Sequence, residues 1–146
     1  MEIREAQLSQ LSSVLALYDE YDRTKSNWPS LAQQEKIFNA LQQSGGCVLI
    51  ALEIESIVGT CTLNVCPNFS WSGRPYAIIE NVIVTEGFRN RGIGKALLNH
   101  ASKVAEGKGC YKVALMTGSK EPSTLKFYES AGFSGSKQGF QRRFNA

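Results

Sequence analysis

The chain has 146 residues, a formal net charge of +3, 42% hydrophobic residues and 20% charged residues. This length and composition are typical of one globular domain and exclude wholesale disorder. The small net charge argues against nucleic acid as a partner. No apolar run is long enough to span a membrane or to form a secretory signal. We therefore expect a single cytoplasmic domain, residues 1–146, that binds neither nucleic acid nor a membrane.

The cysteine pattern argues against both a structural metal and a disulfide framework. Cys47, Cys61, Cys66 and Cys110 form no Cys-x-x-Cys pair, and His100 is the only histidine of the sequence. Three of the four cysteines lie beside or within apolar runs, which is typical of reduced thiols in the core of a cytosolic protein. We therefore expect no metal.

Hydrophobic periodicity and turn residues divide the first half of the chain into strands and helices. Ser30 and Gln33 have the spacing of a capping box, which predicts the start of the second helix. Ile37, Phe38 and Leu41 form the predicted apolar face of that helix. The predicted elements are a short strand around Ile3, a helix from Leu8 to Tyr21, a helix from Ser30 to Gly45, and strands at Cys47–Leu52 and Ile57–Val65.

The second half begins with a loop rich in Pro, Asn, Ser and Gly, Cys66–Pro75. A run of Ile and Val then predicts a strand that is buried on both faces. The predicted elements are a strand at Tyr76–Val84, a helix from Ile93 to Ala105, a strand at Tyr111–Met116, a helix from Pro122 to Ala131 and a weak hairpin at Ser134–Phe144.

The order of these elements predicts the fold class. A strand, a helix and a strand in the centre of the chain form a crossover unit, so part of the sheet is parallel. The hairpin before this unit is antiparallel. We therefore expect an α+β fold, with a mixed, mostly antiparallel twisted sheet, a central parallel β-α-β crossover and helices on both faces.

The turn between the strand at 76–84 and the following helix carries the clearest functional pattern. Unpaired N–H groups at a helix N-terminus and the helix dipole both favour an anion. Gly92 and Gly94 let a ligand approach the backbone closely, while Arg89, Arg91 and Lys95 add positive charge. These features indicate a cradle for a phosphate or a pyrophosphate.

Two well-known phosphate loops do not fit this turn. A Walker A loop needs Lys directly after its second Gly, and the dinucleotide fingerprint needs a third Gly three residues further on. Arg89, Gly92 and Gly94 after an apolar strand instead resemble the signature of the GNAT superfamily, the Gcn5-related N-acetyltransferases. Residues Phe127 to Phe133 are similar to the end of the late helix of that family.

The resemblance implies a single N-acetyltransferase domain, residues 1–146, that uses acetyl-CoA or a related acyl-CoA as co-substrate. It implies that the sheet opens at the strand before the turn, that this strand contacts the pantetheine arm through its backbone, and that the turn binds the pyrophosphate. The implied CoA-binding residues are Val82, Ile83, Val84, Arg89, Asn90, Arg91, Gly92, Ile93, Gly94, Lys95, Ser123 and Lys126.

The resemblance also implies two catalytic residues. Glu80, an acid in an otherwise apolar strand, would act as the general base or bind the amine; the alternative is a strand-edge acid paired with Lys or Arg. Tyr128 would protonate the leaving thiolate, because a phenol is protonated at neutral pH. The alternative for Tyr128 is packing in a Schellman helix end with Gly132 and Phe133.

The expected function is acetyl transfer from acetyl-CoA to a primary amine of a small molecule, by direct attack on the thioester. The alternatives are a protein N-terminal or lysine acetyltransferase and a non-catalytic acyl-CoA-binding sensor. We expect the segments Asp22–Trp28, Cys66–Pro75 and Gly139–Arg143 to recognise the acceptor. Oligomeric state does not follow from the sequence, although small members of this family often form homodimers through their late strands.

Overall fold

A computed structural model of the chain describes residues 1–21 and 27–144. In these residues one sheet has five strands, in the spatial order β1-β2-β3-β4-β5. The strands are β1 (Glu2–Glu5), β2 (Cys47–Glu53), β3 (Ser56–Cys66), β4 (Tyr76–Val84) and β5 (Val113–Leu115). The helices are α1 (Leu11–Tyr21), which follows a 3-10 turn at Leu8–Gln10, α2 (Leu31–Gln43), the one-turn α3 (Ser70–Gly73), α4 (Ile93–Gly107) and α5 (Pro122–Ser130).

The pairing of the strands confirms the predicted fold class. Strands β1 to β4 pair with their neighbours in antiparallel fashion. Strands β4 and β5 pair in parallel, and the chain connects them through α4. The sheet is therefore mixed and mostly antiparallel, with one β-α-β crossover.

Helices cover both faces of the sheet because its central strands present apolar side chains alternately to each face. Leu49 and Leu63 pack in one cluster with Leu97 of α4. Val48 and Ile50 pack in a second cluster with α1. Each fully buried side chain of this size contributes about 1.5–3 kcal/mol to folding. The two clusters hold α1 and α4 on opposite faces of the sheet.

The predicted capping box of α2 is confirmed in one of its two bonds, and the predicted apolar face of the helix is only partly correct. The hydroxyl of Ser30 accepts a hydrogen bond from the backbone N–H of Gln33 at 3.2 Å. Phe38 is buried and Leu41 is half-buried, whereas Ile37 is 52% exposed. Helix α2 therefore contacts the sheet along a narrow stripe.

The predicted hairpin at Ser134–Phe144 is wrong, since the described residues of this segment form no strand. The segment is rich in Gly, Ser and charged residues. It has no alternating apolar side chains that would stabilise a pair of strands by packing on the core. Its two large apolar side chains, Phe140 and Phe144, are 88% and 82% exposed.

Three further predictions need correction around β4 and β5. The strand predicted at Tyr111–Met116 is only Val113–Leu115, because its parallel pairing with β4 extends only over Ala77–Ile79. Strand β4 is not buried on both faces throughout, since Glu80 and Asn81 are exposed. The segment predicted as a loop between β3 and β4 contains α3, whose backbone is left-handed at Trp71 and Ser72.

The cysteines of the core are free thiols, as predicted. Cys47, Cys61 and Cys110 are buried, and burial raises the pKa of Cys47 and Cys61 to about 12. Among the described residues no three His, Cys, Asp or Glu side chains are grouped in a way that would hold a metal ion. None of the described helices is long and apolar enough to cross a membrane.

Candidate functional site

The sheet opens in the middle of β4. Strand β5 pairs only with Ala77–Ile79, so among the described residues one edge of β4 has no strand partner from Glu80 onward. At the same point the register with β3 shifts, and Asn81 takes a left-handed φ of 57°. This bulge leaves Asn81 and Val82 outside the ladder. The second half of β4 therefore offers unpaired backbone groups.

The open edge runs directly into a turn with repeated left-handed residues. Gly87, Asn90 and Gly92 have φ values of 91°, 63° and 81°, and Gly92 is the N-cap of α4. A left-handed residue beside a right-handed one turns successive backbone N–H groups to one side, which produces an anion-binding concavity. The N–H groups of the first turn of α4 add further donors. The backbone from 89 to 95 is therefore suited to a phosphate group.

The two motif glycines have different neighbours, although the sequence suggests the same role for both. A Cβ added to Gly92 would meet nothing within 4 Å. A Cβ added to Gly94 would lie 3.0 Å from Cζ of Phe127 and 3.7 Å from Cγ2 of Val84. Gly92 thus keeps open space at the turn, whereas Gly94 lets α5 pack closely against the start of α4.

The basic side chains of the turn differ in their contacts. Nε of Arg89 donates a hydrogen bond to the backbone carbonyl of Val84 at 3.0 Å, so this guanidinium ties the turn to the end of β4. The guanidinium carbon of Arg91 lies 4.9 Å from the ring centroid of Phe88. Arg89, Arg91 and Lys95 are all exposed. Their charges surround the turn with positive potential.

A residue that the sequence did not single out, Glu20 of α1, holds the beginning of this turn. The hydroxyl of Thr85 lies 2.9 and 2.8 Å from the two Glu20 carboxylate oxygens and shares its single proton between them. The backbone N–H of Glu86 donates to the same carboxylate at 3.3 Å. No sequence signal marks this contact, because it joins residues more than 60 positions apart.

Glu80 lies at the open edge of β4 beside polar side chains from two other elements. It stands opposite Thr62 in the β3–β4 register, and the Tyr18 hydroxyl of α1 lies 3.4 Å from the Thr62 hydroxyl. Glu80 is exposed. Among the described residues no lysine or arginine lies within ion-pair distance of it.

Tyr128 lies at the end of α5, in a complete Schellman motif. The N–H of Phe133 donates to the Tyr128 carbonyl at 3.0 Å, the N–H of Gly132 donates to the Glu129 carbonyl at 3.0 Å, and Gly132 has a φ of 90°. The side chain is half-buried against the main core. Burial raises the pKa of Tyr128, and the neighbouring Tyr21 raises it further. The motif uses only the backbone, so the phenol hydroxyl is left for another role.

Ser123 and Lys126 occupy exposed positions on α5. The helix begins at Pro122, and its Phe127 packs against Gly94 at the start of α4. This contact brings α5 alongside the turn. The structure thus groups the open half of β4, the turn and α5, and each contains residues that the sequence predicts to bind CoA.

The segments expected to recognise the acceptor are described in part. Residues 22–26 of the predicted segment Asp22–Trp28 lie outside the described residues. The indole N–H of Trp28 donates to the Asp19 carboxylate at 3.1 and 3.2 Å. The guanidinium of Arg74 donates to the carbonyls before β5, at 3.4 and 3.3 Å, and so holds the loop in place. Residues Gly139–Arg143 are exposed.

Comparison with known proteins identifies relatives of this chain. A family model described as "Acetyltransferase (GNAT) family" matches residues 14–133. The structure of a putative acetyltransferase from Agrobacterium tumefaciens str. C58 is 36% identical, with a TM-score of 0.88 over 99% of this chain and 100% of that chain. A Trypanosoma brucei acetyltransferase structure is 29% identical, with a TM-score of 0.84 over 98% of this chain and 99% of that chain.

Among curated proteins, the glucosamine 6-phosphate N-acetyltransferase of Trypanosoma brucei brucei is 42% identical over 77 residues. That match covers 53% of this chain and 50% of the trypanosomal protein. The chain spans about half the length of the curated relatives it matches.

Proposed function

This chain belongs to the GNAT family of acetyltransferases, and from that premise we propose that it moves an acetyl group from acetyl-CoA to a primary amine of a small molecule. The open edge of β4, which leads directly into the glycine turn and α4, is the observation that carries the proposal. An unpaired strand edge suits an extended, amide-containing arm, and a helix N-terminus suits a pyrophosphate. The two features follow each other as pantetheine and pyrophosphate do in CoA.

The residues of the site are compatible with CoA as the donor. We assign the backbone of Val82–Val84 to the pantetheine arm and the segment Arg89–Lys95 to the pyrophosphate. The open space at Gly92 supports this assignment, because a side chain there would project beside the turn. Ser123 and Lys126 are assigned to further CoA contacts from α5.

Glu80 is the proposed general base. An alkylammonium has a pKa of about 10, so the acceptor must lose a proton before its nitrogen can attack a thioester. Glu80 is an exposed carboxylate at the point where β4 loses its partner. It would accept that proton directly or through one water, a role that contributes about 10²–10⁴-fold to the rate.

Tyr128 is the proposed general acid for the leaving thiolate. Its raised pKa keeps the phenol protonated at neutral pH, and a protonated phenol can donate to sulfur. The Schellman end fixes the backbone of Tyr128 without using the hydroxyl. Packing and proton donation are therefore compatible at this residue.

The acceptor that we test first is glucosamine 6-phosphate, because a curated relative is named for that substrate. Tyr18, Thr62 and Glu80 support an acceptor with hydroxyl groups near its amine, since two hydroxyls and a carboxylate lie together on the α1 side of the sheet. The free thiols of the core support a reducing, cytoplasmic setting.

A thiol-release assay with acetyl-CoA tests the proposal over a panel of amines: glucosamine 6-phosphate, an aminoglycoside, a polyamine and a lysine peptide. We expect release with a small amine, and a loss of about 100-fold in kcat/KM for Glu80→Gln. Glu35→Gln, at an exposed glutamate of α2, is the matched control. Wild-type activity in Glu80→Gln would refute the role of Glu80, and release with the peptide alone would refute a small-molecule acceptor.

A further inference from the structure

Glu20 joins α1 to the turn after β4 by side-chain hydrogen bonds. Its carboxylate accepts the proton of the Thr85 hydroxyl, which lies within 2.9 Å of both oxygens, and a hydrogen bond from the Glu86 N–H. The N–H of Thr85 continues the β3–β4 pairing to Val58 at 2.8 Å, and its carbonyl accepts from Phe88 at 3.1 Å. Thr85 is thus fixed by the sheet, by its own turn and by α1.

The helix dipole and a neighbouring acid both act against a negative charge at Glu20, although Arg89 lines the same cleft. Glu20 lies in the last turn of α1, where the negative end of the helix dipole disfavours an anion. A second acid, Glu86, belongs to the turn that Glu20 contacts. A carboxylate in this place weakens the positive potential at the proposed pyrophosphate site. Glu20 therefore does not serve to attract acetyl-CoA electrostatically.

The contact has a geometric explanation, because Oε1 of Glu20 lies within hydrogen-bond distance of both the Thr85 hydroxyl and the Glu86 N–H. One acceptor atom that receives donors from two consecutive residues fixes the orientation of Thr85 and Glu86 relative to α1. A cleft of about 500 Å³ lies between α1 and the turn and is lined by Glu20, Tyr21, Glu86 and Arg89. Glu20 therefore fixes the turn residues on one side of this cleft. Arg89, the first residue of the proposed pyrophosphate segment, lines the same cleft.

The residues beside Glu20 connect α1 with other parts of the site. Asp19 accepts the hydrogen bonds from Trp28 at the start of the next described segment. Tyr21 lies close enough to Tyr128 to influence its ionisation. Asp19 and Glu20 at the end of α1 thus contact the acceptor-side segment and the turn, and Tyr21 lies near the candidate acid.

We propose that Glu20 is a positioning residue for the donor: its carboxylate holds Thr85 and Glu86 so that the turn keeps the backbone shape that receives the pyrophosphate of CoA. The inference rests on the proposed use of CoA as donor. It assigns to an α1 residue, outside the glycine motif, a role in donor affinity.

Calorimetric titration with CoA tests the inference in Glu20→Ala and Glu20→Gln. We expect Glu20→Ala to weaken CoA binding about tenfold, since it removes hydrogen bonds to a charged acceptor. Glu20→Gln keeps a carbonyl oxygen that can accept from both the Thr85 hydroxyl and the Glu86 N–H, and it should remain within about threefold of wild type. Glu35→Gln on α2 is again the control, and melting temperatures show whether each variant is folded.

A second measurement separates positioning from a general loss of structure. Acetylpantetheine has the thioester arm but no pyrophosphate, so its kcat/KM should change less than twofold in Glu20→Ala, whereas the KM for acetyl-CoA should rise about tenfold. Unchanged CoA affinity in Glu20→Ala, or an equal loss for both donors, would overturn the inference. Failure of the wild-type protein to bind CoA would instead overturn the proposed function.

Discussion

Gly92 and Gly109 lie at opposite ends of α4 with nearly the same backbone angle, φ 81° and 83°, and a Cβ at either would meet nothing within 4 Å. An alanine at either position would therefore cause similar backbone strain, about 1–2 kcal/mol for an L-residue in the left-handed region. For a chain of this length that corresponds to a fall in melting temperature of roughly 3–8 °C. The two substitutions should be equally costly to the fold.

Only Gly92→Ala should also weaken CoA binding. Its methyl group would occupy the space beside the N-terminus of α4, where we place the pyrophosphate. Loss of a hydrogen bond between a backbone N–H and a charged oxygen costs about 1.5–3 kcal/mol, which corresponds to roughly 10–100-fold in Kd. Gly109→Ala changes the backbone at the far end of the same helix and should leave CoA affinity within about twofold of wild type.

We apply calorimetric titration with CoA and thermal unfolding to both variants. Together they distinguish backbone strain from steric exclusion of the pyrophosphate by the added methyl group. Equal losses of CoA affinity in Gly92→Ala and Gly109→Ala would mean that affinity follows stability alone. Wild-type affinity in Gly92→Ala would mean that the pyrophosphate does not approach this residue. Either result would refute the reasoning about the turn.

The ionisable groups give three further predictions. Tyr128→Phe should lower kcat about 100-fold at unchanged CoA affinity and melting temperature, because the Schellman bonds use only the backbone; a parallel loss of stability and activity would support packing alone. Because burial raises the pKa of Tyr128, the kcat of wild type should show no alkaline fall due to this residue below about pH 10. Burial also raises the pKa of Cys47 and Cys61 from 9.0 to about 12, so the stability linked to these neutral thiols is present below pH 9 and is lost as the pH rises towards 12. Denaturant unfolding between pH 8 and 11 measures that loss, and a constant free energy of unfolding would contradict it.

Local signals predicted the fold well where a short stretch of chain determines its own structure. The Ser30 cap, the glycine that ends α2 and the apolar run of β4 each depend on neighbours within a few residues, and each is confirmed at or near its predicted place. The C-terminal hairpin failed because strands need a partner, and an exposed segment with Phe140 and Phe144 has no apolar face to bury.

In the candidate site, the sequence predicted the glycine turn but not the contacts around it. The motif leads to the turn, but it does not distinguish Gly92, which borders open space, from Gly94, whose missing Cβ makes room for Phe127. It does not show that Arg89 binds a backbone carbonyl. Glu20 was missed altogether, because its contact with Thr85 depends on how α1 packs across the sheet.

Calorimetric titration of the wild-type protein tests the central claim most directly, namely that the open half of β4 and the following turn bind CoA. CoA, desulfo-CoA and adenosine are compared at one temperature and one ionic strength. We predict saturable binding of CoA and desulfo-CoA with similar affinity and much weaker binding of adenosine, because the pyrophosphate and pantetheine carry the contacts. No binding of CoA, or adenosine binding as tight as CoA binding, would contradict the account.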